Sequence, residues 1–251
     1  MKPAEVTPVI LTWNEEANIA RTLEALHWAE RIVILDSGST DETEAICRSN
    51  PRVDFHVRKF DRHADQWNAG LSLVRTPWVL ALDADYRLGP EFPGEMERLD
   101  PDAGIDGYRV PLLFCQGGHP LRASLLPPRI CLFRTGRARY RQDGHTQDLQ
   151  LDGPCGTMTA PILHDDRKPF SRWWSNQLKY AALEADKLRE SPWHELSPQD
   201  RLRKATPLAP LAVAAYCLLI KGLWLDFPAG WLYTGQRFLA ECLLLSARLR
   251  K

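Results

Sequence analysis

The sequence predicts an α/β protein, strands alternating with helices around one sheet, and three observations carry that prediction. Short apolar runs of buried-strand type recur early in the chain, as PVILT at Pro8–Thr12, RIVIL at Arg31–Leu35 and WVLAL at Trp78–Leu82. The stretches between them place apolar residues at helical spacing. Each run also breaks abruptly into polar residues, which is where a parallel sheet binds its ligands.

The elements follow in order. Pro8–Thr12 is continuous and apolar, as a strand covered on both faces must be. Glu15–Leu26 follows with Ile19, Leu23 and Leu26 on one helical face. Arg31–Leu35 is the second strand, and Ser39 or Thr40 is placed to cap a helix over Glu42–Cys47 with acids in its first turn. Val53–Val57 reads as a third strand, Asp65–Val74 as a third helix, and Trp78–Leu82 as a fourth strand. From Gly104 to His164 the texture changes to short apolar pieces (YRVPLLF, ICLF) between Gly-Gly and Pro-Pro turns. Ser171–Leu188 is helical, with Trp174, Leu178, Ala181 and Leu188 to one side. The tail holds Leu208–Ile220, interrupted by Pro210, and Leu239–Leu249.

Composition bounds the function. The chain has 251 residues, 44% hydrophobic and 25% charged, which excludes a disordered or fibrous protein. With 32 basic and 32 acidic residues, no net charge argues for nucleic acid as a partner. The charge is uneven, however: residues 201–251 hold eight Lys/Arg against Asp226 and Glu241. Six scattered cysteines form no CxxC pair, so a zinc knuckle or redox motif is not expected. The N-terminus carries no charged-then-apolar signal pattern, and a cytoplasmic location is the expectation.

Asp83-Ala84-Asp85 is the most informative motif. Two carboxylates at i and i+2 just past a buried strand can converge on a hard divalent cation bound also by diphosphate oxygens, the usual setting for magnesium or manganese. Two turn carboxylates capping the next segment would look the same in isolation. They are not isolated. VILTWNEEANIARTLEAL, VILDSGSTDET, HADQWNAGLSLVRTPWVLALDAD and LHDDRKPFSRWWSNQLKYAALEADKL stand in that order. Over roughly residues 7–190 the sequence resembles the family 2 glycosyltransferases of GT-A fold, and among them the bacterial transferases of lipopolysaccharide core and related envelope glycans.

The resemblance implies a nucleotide-sugar-binding mixed sheet flanked by helices over residues 1–190; beyond it, 191–251 reads from its own apolar and basic residues as an amphipathic, apolar helical tail. The resemblance also implies a divalent cation and a nucleotide-sugar donor, taken as UDP-linked. Thr12, Asn14, Glu15 and Asp36 would meet the nucleotide, with Gln66 and Asn68 on the bordering helix and Asp83 at ribose or a metal-bound water. Asp85 would ligate the cation directly, and His164 would complete its site. For Asn14, Ser39 and Thr40 simple helix capping is the alternative; Glu16 and Asp41 suit helix-dipole partners. Arg167 and Lys168 are placed to neutralise diphosphate or to stay solvated.

The acceptor side departs from the family pattern. Many envelope relatives show a His-Glu pair where this chain reads Tyr140-Arg141-Gln142-Asp143-Gly144-His145-Thr146-Gln147-Asp148. Inverting transfer needs a base for the acceptor hydroxyl, and Asp143 is the first candidate, with Asp148 and His145 behind it. The tail is too short and too interrupted by Lys221 to span a bilayer. It reads either as a buried helical hairpin or as an element lying on anionic lipid. The expected activity is inverting, metal-dependent transfer to a membrane-borne glycan or glycolipid, on the inner face of the cell membrane. A polyprenyl-phosphate sugar synthase and a catalytically silent glycan- or nucleotide-binding adaptor are the alternatives.

Overall fold

The computed structural model describes residues 1–143 and 146–250, the side chains of Asp143 and Thr146 excepted. The chain opens with β1 (Val6–Thr12), α1 (Ile19–Glu24), β2 (Ile32–Asp36), α2 (Thr43–Arg48), β3 (Val53–Val57), α3 (His63–Ser72) and β4 (Trp78–Asp83). This is the alternation the apolar runs predict. Helix α1 is shorter than its apolar spacing suggests, because Asn14, at φ 53°, turns the chain, and residues 14–16 bond across to the loop after β2.

The middle of the chain supplies β5 (Tyr86–Leu88), α4 (Phe92–Arg98), β6 (Gly107–Val110), β7 (Leu112–Gln116), β8 (His119–Pro120) and β9 (Arg129–Arg134). The hairpin β10 (Ala138–Asp143) and β11 (Thr146–Leu151) follows, then β12 (Cys155–Thr157) and β13 (Ile162–His164). Helices α5 (Phe170–Glu190), α6 (Pro198–Ala205), α7 (Ala209–Ala215) and α8 (Ala229–Leu249) complete it. The chain divides into two compact units, Met1–Leu113 with Leu125–Arg167, and Phe114–Ser124 with Lys168–Lys251.

The first unit is built on a seven-stranded mixed sheet in the order β12-β6-β9-β4-β1-β2-β3. Strands β4, β1, β2 and β3 run parallel, while β9 is antiparallel to β4 and β6. Alternation along the strands sorts the side chains to two faces. Ile10, Ile34, Leu80 and Leu82 join one core with Ile19 and Leu23 of α1 and with Phe92 and Met96 of α4. Val9, Val33, Val79 and Ala81 join the other, with Ala64 and Trp67 of α3 and with Phe133 and Tyr140. The Val, Leu, Ile, Phe and Met side chains among these contribute about 1.5–3 kcal/mol each on burial, so apolar runs read on both faces are what holds the sheet. Gly70 lets α3 lie close on β1, since a Cβ there would meet Val9 Cγ1 at 2.9 Å.

In the second unit two 21-residue helices, α5 and α8, pack together through Ala181, Ala185, Leu188 and Leu244, with Leu196. Ser197 caps α6 by accepting from the Asp200 amide at 3.1 Å. Helix α7 runs into a widened turn at Tyr216–Ile220 that stops at Gly222, φ 68°. Among the described residues, no helix is long and apolar enough to cross a membrane.

Candidate active site

The carboxyl edge of the first unit's sheet collects the chemistry. Asp83 is the last residue of β4, opposite Leu11 of β1. Its carboxylate accepts from the Tyr86 hydroxyl, and burial together with the Asp85 charge pushes its pKa up. Burial and the facing Asp83 charge likewise push the Tyr86 hydroxyl well above its ordinary range, so it acts as a donor and not as a base.

Asp85 lies two residues beyond the end of the strand. Its Oδ2 lies 3.0 Å from His164 Nε2. The pairing of β5 with β13 sets this, because His164 stands opposite Tyr86 in register, with the two rings edge-on at 5.3 Å. Burial alone would lower the His164 pKa; Asp85, by charge and hydrogen bond, reverses that and holds it raised. A carboxylate oxygen and an imidazole nitrogen so juxtaposed are a donor pair that suits manganese. No group of three His, Cys, Asp or Glu side chains converges for a metal among the described residues. A cation here would therefore draw its remaining ligands from diphosphate and water.

The residue after His164 anchors it. Asp165 is 1% exposed and holds Arg21 at 2.6 Å, Arg167 at 2.8 Å and Arg87 at 3.4 Å. Its amide donates to the Asp85 carbonyl at 3.0 Å. The Arg167 guanidinium that the sequence offers to a diphosphate thus lies on Asp165. Asn18, also buried, ties this corner to α1 by donating to Glu15 and to Asp166, each at 2.9 Å.

Thr12 and Asp36 meet on the other side of β4. Asp36 is 2% exposed and accepts from Thr12 Oγ1 at 2.7 Å, Ser39 Oγ at 2.6 Å and the amides of Gly38 and Ser39 at 2.8 and 2.7 Å. That saturates the carboxylate and shapes the loop after β2. Asn14 and Ser39 do not cap a helix. The Asn14 amide donates to Ser39 Oγ and its Oδ1 accepts from the Thr40 amide, both at 2.8 Å. Asp41, just before the N-cap Glu42 of α2, accepts from the Thr43 amide through Oδ1 at 3.0 Å. Glu15 docks on the same helix start, its amide donating to Thr43 Oγ1 at 2.7 Å. Gln66, wholly buried, bridges Ser37, the Arg58 carbonyl and the Arg58 guanidinium. Asn68 bonds both backbone groups of Tyr140, at 2.9 and 3.0 Å, and so fixes β10 on α3.

A cavity of about 340 Å³ opens beside Asp83, lined among others by Tyr86, Arg109, Arg129, Gln147 and Asp148. Asp148 is therefore brought to Asp83's cavity by β11. Asp143 closes β10 at the hairpin end, and His145 lies outside the described residues. Tyr86, Arg109 and Arg129 are the members sequence reading passes over. Arg129 opens the ICLF strand, but only the antiparallel pairing of β9 with β4 and β6 turns it toward the site.

The fold and this edge define a glycosyltransferase of GT-A architecture. Residues 7–143 match the model of glycosyl transferase family 2, and the chain belongs to that family. It is 31% identical over 193 residues to the lipopolysaccharide core biosynthesis glycosyltransferase LpsC of Rhizobium meliloti, covering 72% of this chain and 71% of that protein. An uncharacterized glycosyltransferase of Rickettsia typhi is 26% identical over 132 residues, 51% of this chain and 45% of its own length. Among solved structures, Staphylococcus aureus TarS 1–349 in complex with UDP-GlcNAc superposes with a TM-score of 0.51 at 13% identity, covering 99% of this chain and 89% of that one.

Proposed function

We propose that this chain transfers a sugar, with inversion, from a UDP-linked donor to a hydroxyl of a membrane-borne glycan or glycolipid of the lipopolysaccharide-core type. The observation that carries the reading is Asp83-Ala84-Asp85 at the sheet's carboxyl edge, with His164 at 3.0 Å from Asp85 and Asp148 in the adjoining cavity. The 31% likeness to LpsC supports the acceptor class. Thr12, Asn14, Glu15, Asp36 and Gln66 build the nucleotide side, Asp83 meets the ribose or a metal-bound water, and Asn68 acts through β10. Asp85 and His164 would hold a divalent cation, which would supply charge to offset the leaving diphosphate.

Inversion needs one displacement. The acceptor oxygen bonds to the anomeric carbon while the bond from that carbon to the diphosphate breaks. The hydroxyl proton passes to a carboxylate, for which Asp148 has the placement, and the bond pair leaves with UDP. Peripheral attachment to the inner face of the cell membrane through the second unit belongs to the same reading.

The test is UDP release from a panel of UDP-sugars by the intact protein with manganese, with and without a lipid-linked glycan acceptor. Asp85→Ala should keep the fold and lose about 10²–10⁴ of the rate, the scale of several kcal/mol of cation stabilisation. Full activity of folded Asp85→Ala in chelator overturns the metal assignment. Tight nucleotide binding with no turnover, slow hydrolysis included, overturns catalysis. Product recovered as an organic-extractable lipid monophosphate sugar replaces the acceptor.

A further inference from the structure

The cavity beside Asp83 holds two guanidinium groups that the donor side leaves unused. Arg129 opens β9 and Arg109 stands near the end of β6; both are exposed and both line the cavity. Neither makes an ion pair or a side-chain hydrogen bond among the described residues. Other arginines of this unit behave differently: Arg21, Arg31, Arg58, Arg62, Arg134 and Arg137 each lie on a carboxylate. Arg75, Arg98, Arg139 and Arg141 also lack an ion pair among the described residues, so what distinguishes Arg109 and Arg129 is their shared place in the cavity with Asp83. The cavity itself contains Asp83 and Asp148, and neither arginine closes on them.

The sheet says which side of the reaction the pair serves. Leu80 of β4 lies opposite Leu132 of β9. The pairing ends there, but Arg129 lines the same cavity as Asp83, and its charge acts on both Asp83 and Tyr86. Arg109 lies on the next strand out, opposite Ile130. Thr12 and Asp36 are on β1 and β2, across β4 from both arginines. In the sheet order the nucleotide-side strands and the arginine strands therefore lie on opposite sides of β4, and the arginines line one cavity with Asp148.

We propose that Arg109 and Arg129 form an acceptor-side anion subsite, which selects acceptors bearing a phosphate or carboxylate beside the sugar whose hydroxyl is glycosylated. This rests on the transferase reading and names its acceptor as acidic. Guanidinium forks bind such groups bidentately. The anion would dock across the cavity from the nucleotide and hold the hydroxyl at Asp148. The donor's own diphosphate is the competing source of the same chemistry.

Calorimetry on the intact protein separates the two. With UDP and manganese saturating, glucose 6-phosphate should bind at least tenfold more tightly than methyl glucoside. Arg109→Gln and Arg129→Gln should each weaken glucose 6-phosphate about tenfold or more and leave UDP affinity within about twofold, while Arg129→Lys recovers part of the loss. A tenfold loss of UDP affinity with glucose 6-phosphate unaffected assigns the pair to the diphosphate and overturns the proposal. So does equal binding of the charged and neutral sugars, or no binding of glucose 6-phosphate to the parent protein. Failure of UDP itself to bind overturns the transferase reading instead. Inorganic phosphate then reads the subsite alone, and equal phosphate affinity in the parent and the Arg109→Gln/Arg129→Gln protein overturns it.

Discussion

Asp148 is an exposed carboxylate on a hairpin strand, and the base role proposed for it rests on the cavity it shares with Asp83. Asp148→Asn should lower transfer by about 10²–10⁴, the range for lost general-base help, with UDP affinity little changed. Asp143→Asn is the control: if it is the dead variant and Asp148→Asn turns over normally in the same assay, the proton goes to the end of β10 instead. At this scale the sequence is informative where an apolar strand stops. Thr12, Asp36 and Asp83 are readable because β1, β2 and β4 end on them, and Asp85 because it follows Asp83 at i+2; a buried run that breaks into carboxylates has few structural explanations. His164 is readable as the end of Ala160-Pro161-Ile162-Leu163. Its 3.0 Å approach to Asp85 is not, since that depends on the β5–β13 register. Arg109, Arg129 and Tyr86 are illegible for the same reason. Nothing in a local window tells which antiparallel strand folds back beside β4. Asp165 shows a different limit. A helix-capping turn and a buried carboxylate under three guanidiniums share the letters HDDR, and only tertiary structure supplies Arg21 and Arg87.

Among the elements, the α3–β10 contact is the one on which the acceptor side depends. Asn68 accepts from the Tyr140 amide and donates to its carbonyl, and Trp67 stacks on the Tyr140 ring at 5.0 Å. Asn68→Ala removes both bonds and leaves two partly buried backbone groups unsatisfied, about 1–3 kcal/mol for each group. Hydrogen exchange at the Tyr140 amide should accelerate about tenfold or more, with transfer reduced and UDP binding retained. Unchanged exchange would show that the stacked rings alone hold the hairpin. In the second unit the corresponding device is ionic. Arg203 holds Glu241 and Asp200, and Lys187 donates to Asp200 at 3.2 Å. Burial opposes the Asp200 charge, but bonds from Ser197, Lys187 and Arg203 outweigh it and lower its pKa from 3.8. A depressed carboxylate stabilises above its unfolded value and loses that contribution as pH falls through the folded one. The difference in melting temperature between the parent and Asp200→Asn should thus be full at pH 6 and shrink below about pH 4. A constant difference across that range would make the role of Asp200 purely steric. Elements covered on both faces, β1, β2 and β4, are legible as unbroken apolar runs. The short strands β6, β9 and β12 are seen as strands at best, because their order in the sheet is set by long-range pairing that leaves no periodic signature.

Taken whole, the molecule separates its charge along its two units. Of the 32 basic and 32 acidic residues, the second unit has 14 and 7, so it is net positive while the first is negative by the same amount. The second unit also exposes an apolar stretch that its own packing does not cover. Helix α8 buries Tyr233 and Leu244, yet Leu219, Ile220 and Phe227 are 71%, 74% and 78% exposed, with Trp224 and Trp231 about half exposed. Phe227, Trp231, Leu232 and Leu239 line an apolar groove of about 530 Å³. From 207 to 235 the only acid is Asp226, and it is neutralised by Arg122 at 2.8 Å. Aromatic and aliphatic side chains projecting from a cationic unit suit the interface of an anionic bilayer. The structure also sorts the tail's basic residues: Arg203 is held by Glu241, and Arg248 donates to the carbonyls of Arg203 and Lys204, so those two brace helices. On the proposed membrane reading, insertion through 208–232 would contribute most of the apolar attachment, and the remaining lysines and arginines would add about 1 kcal/mol each near the surface. The intact protein should sediment with phosphatidylglycerol-containing vesicles at low salt, and weaken without full release at high salt, because screening removes only the charge term. Ile220→Asp with Phe227→Asp should abolish the salt-resistant fraction while UDP binding persists. No sedimentation at low salt, together with self-association in solution that the same pair of substitutions dissolves, would give this surface to a second copy of the chain instead of to lipid.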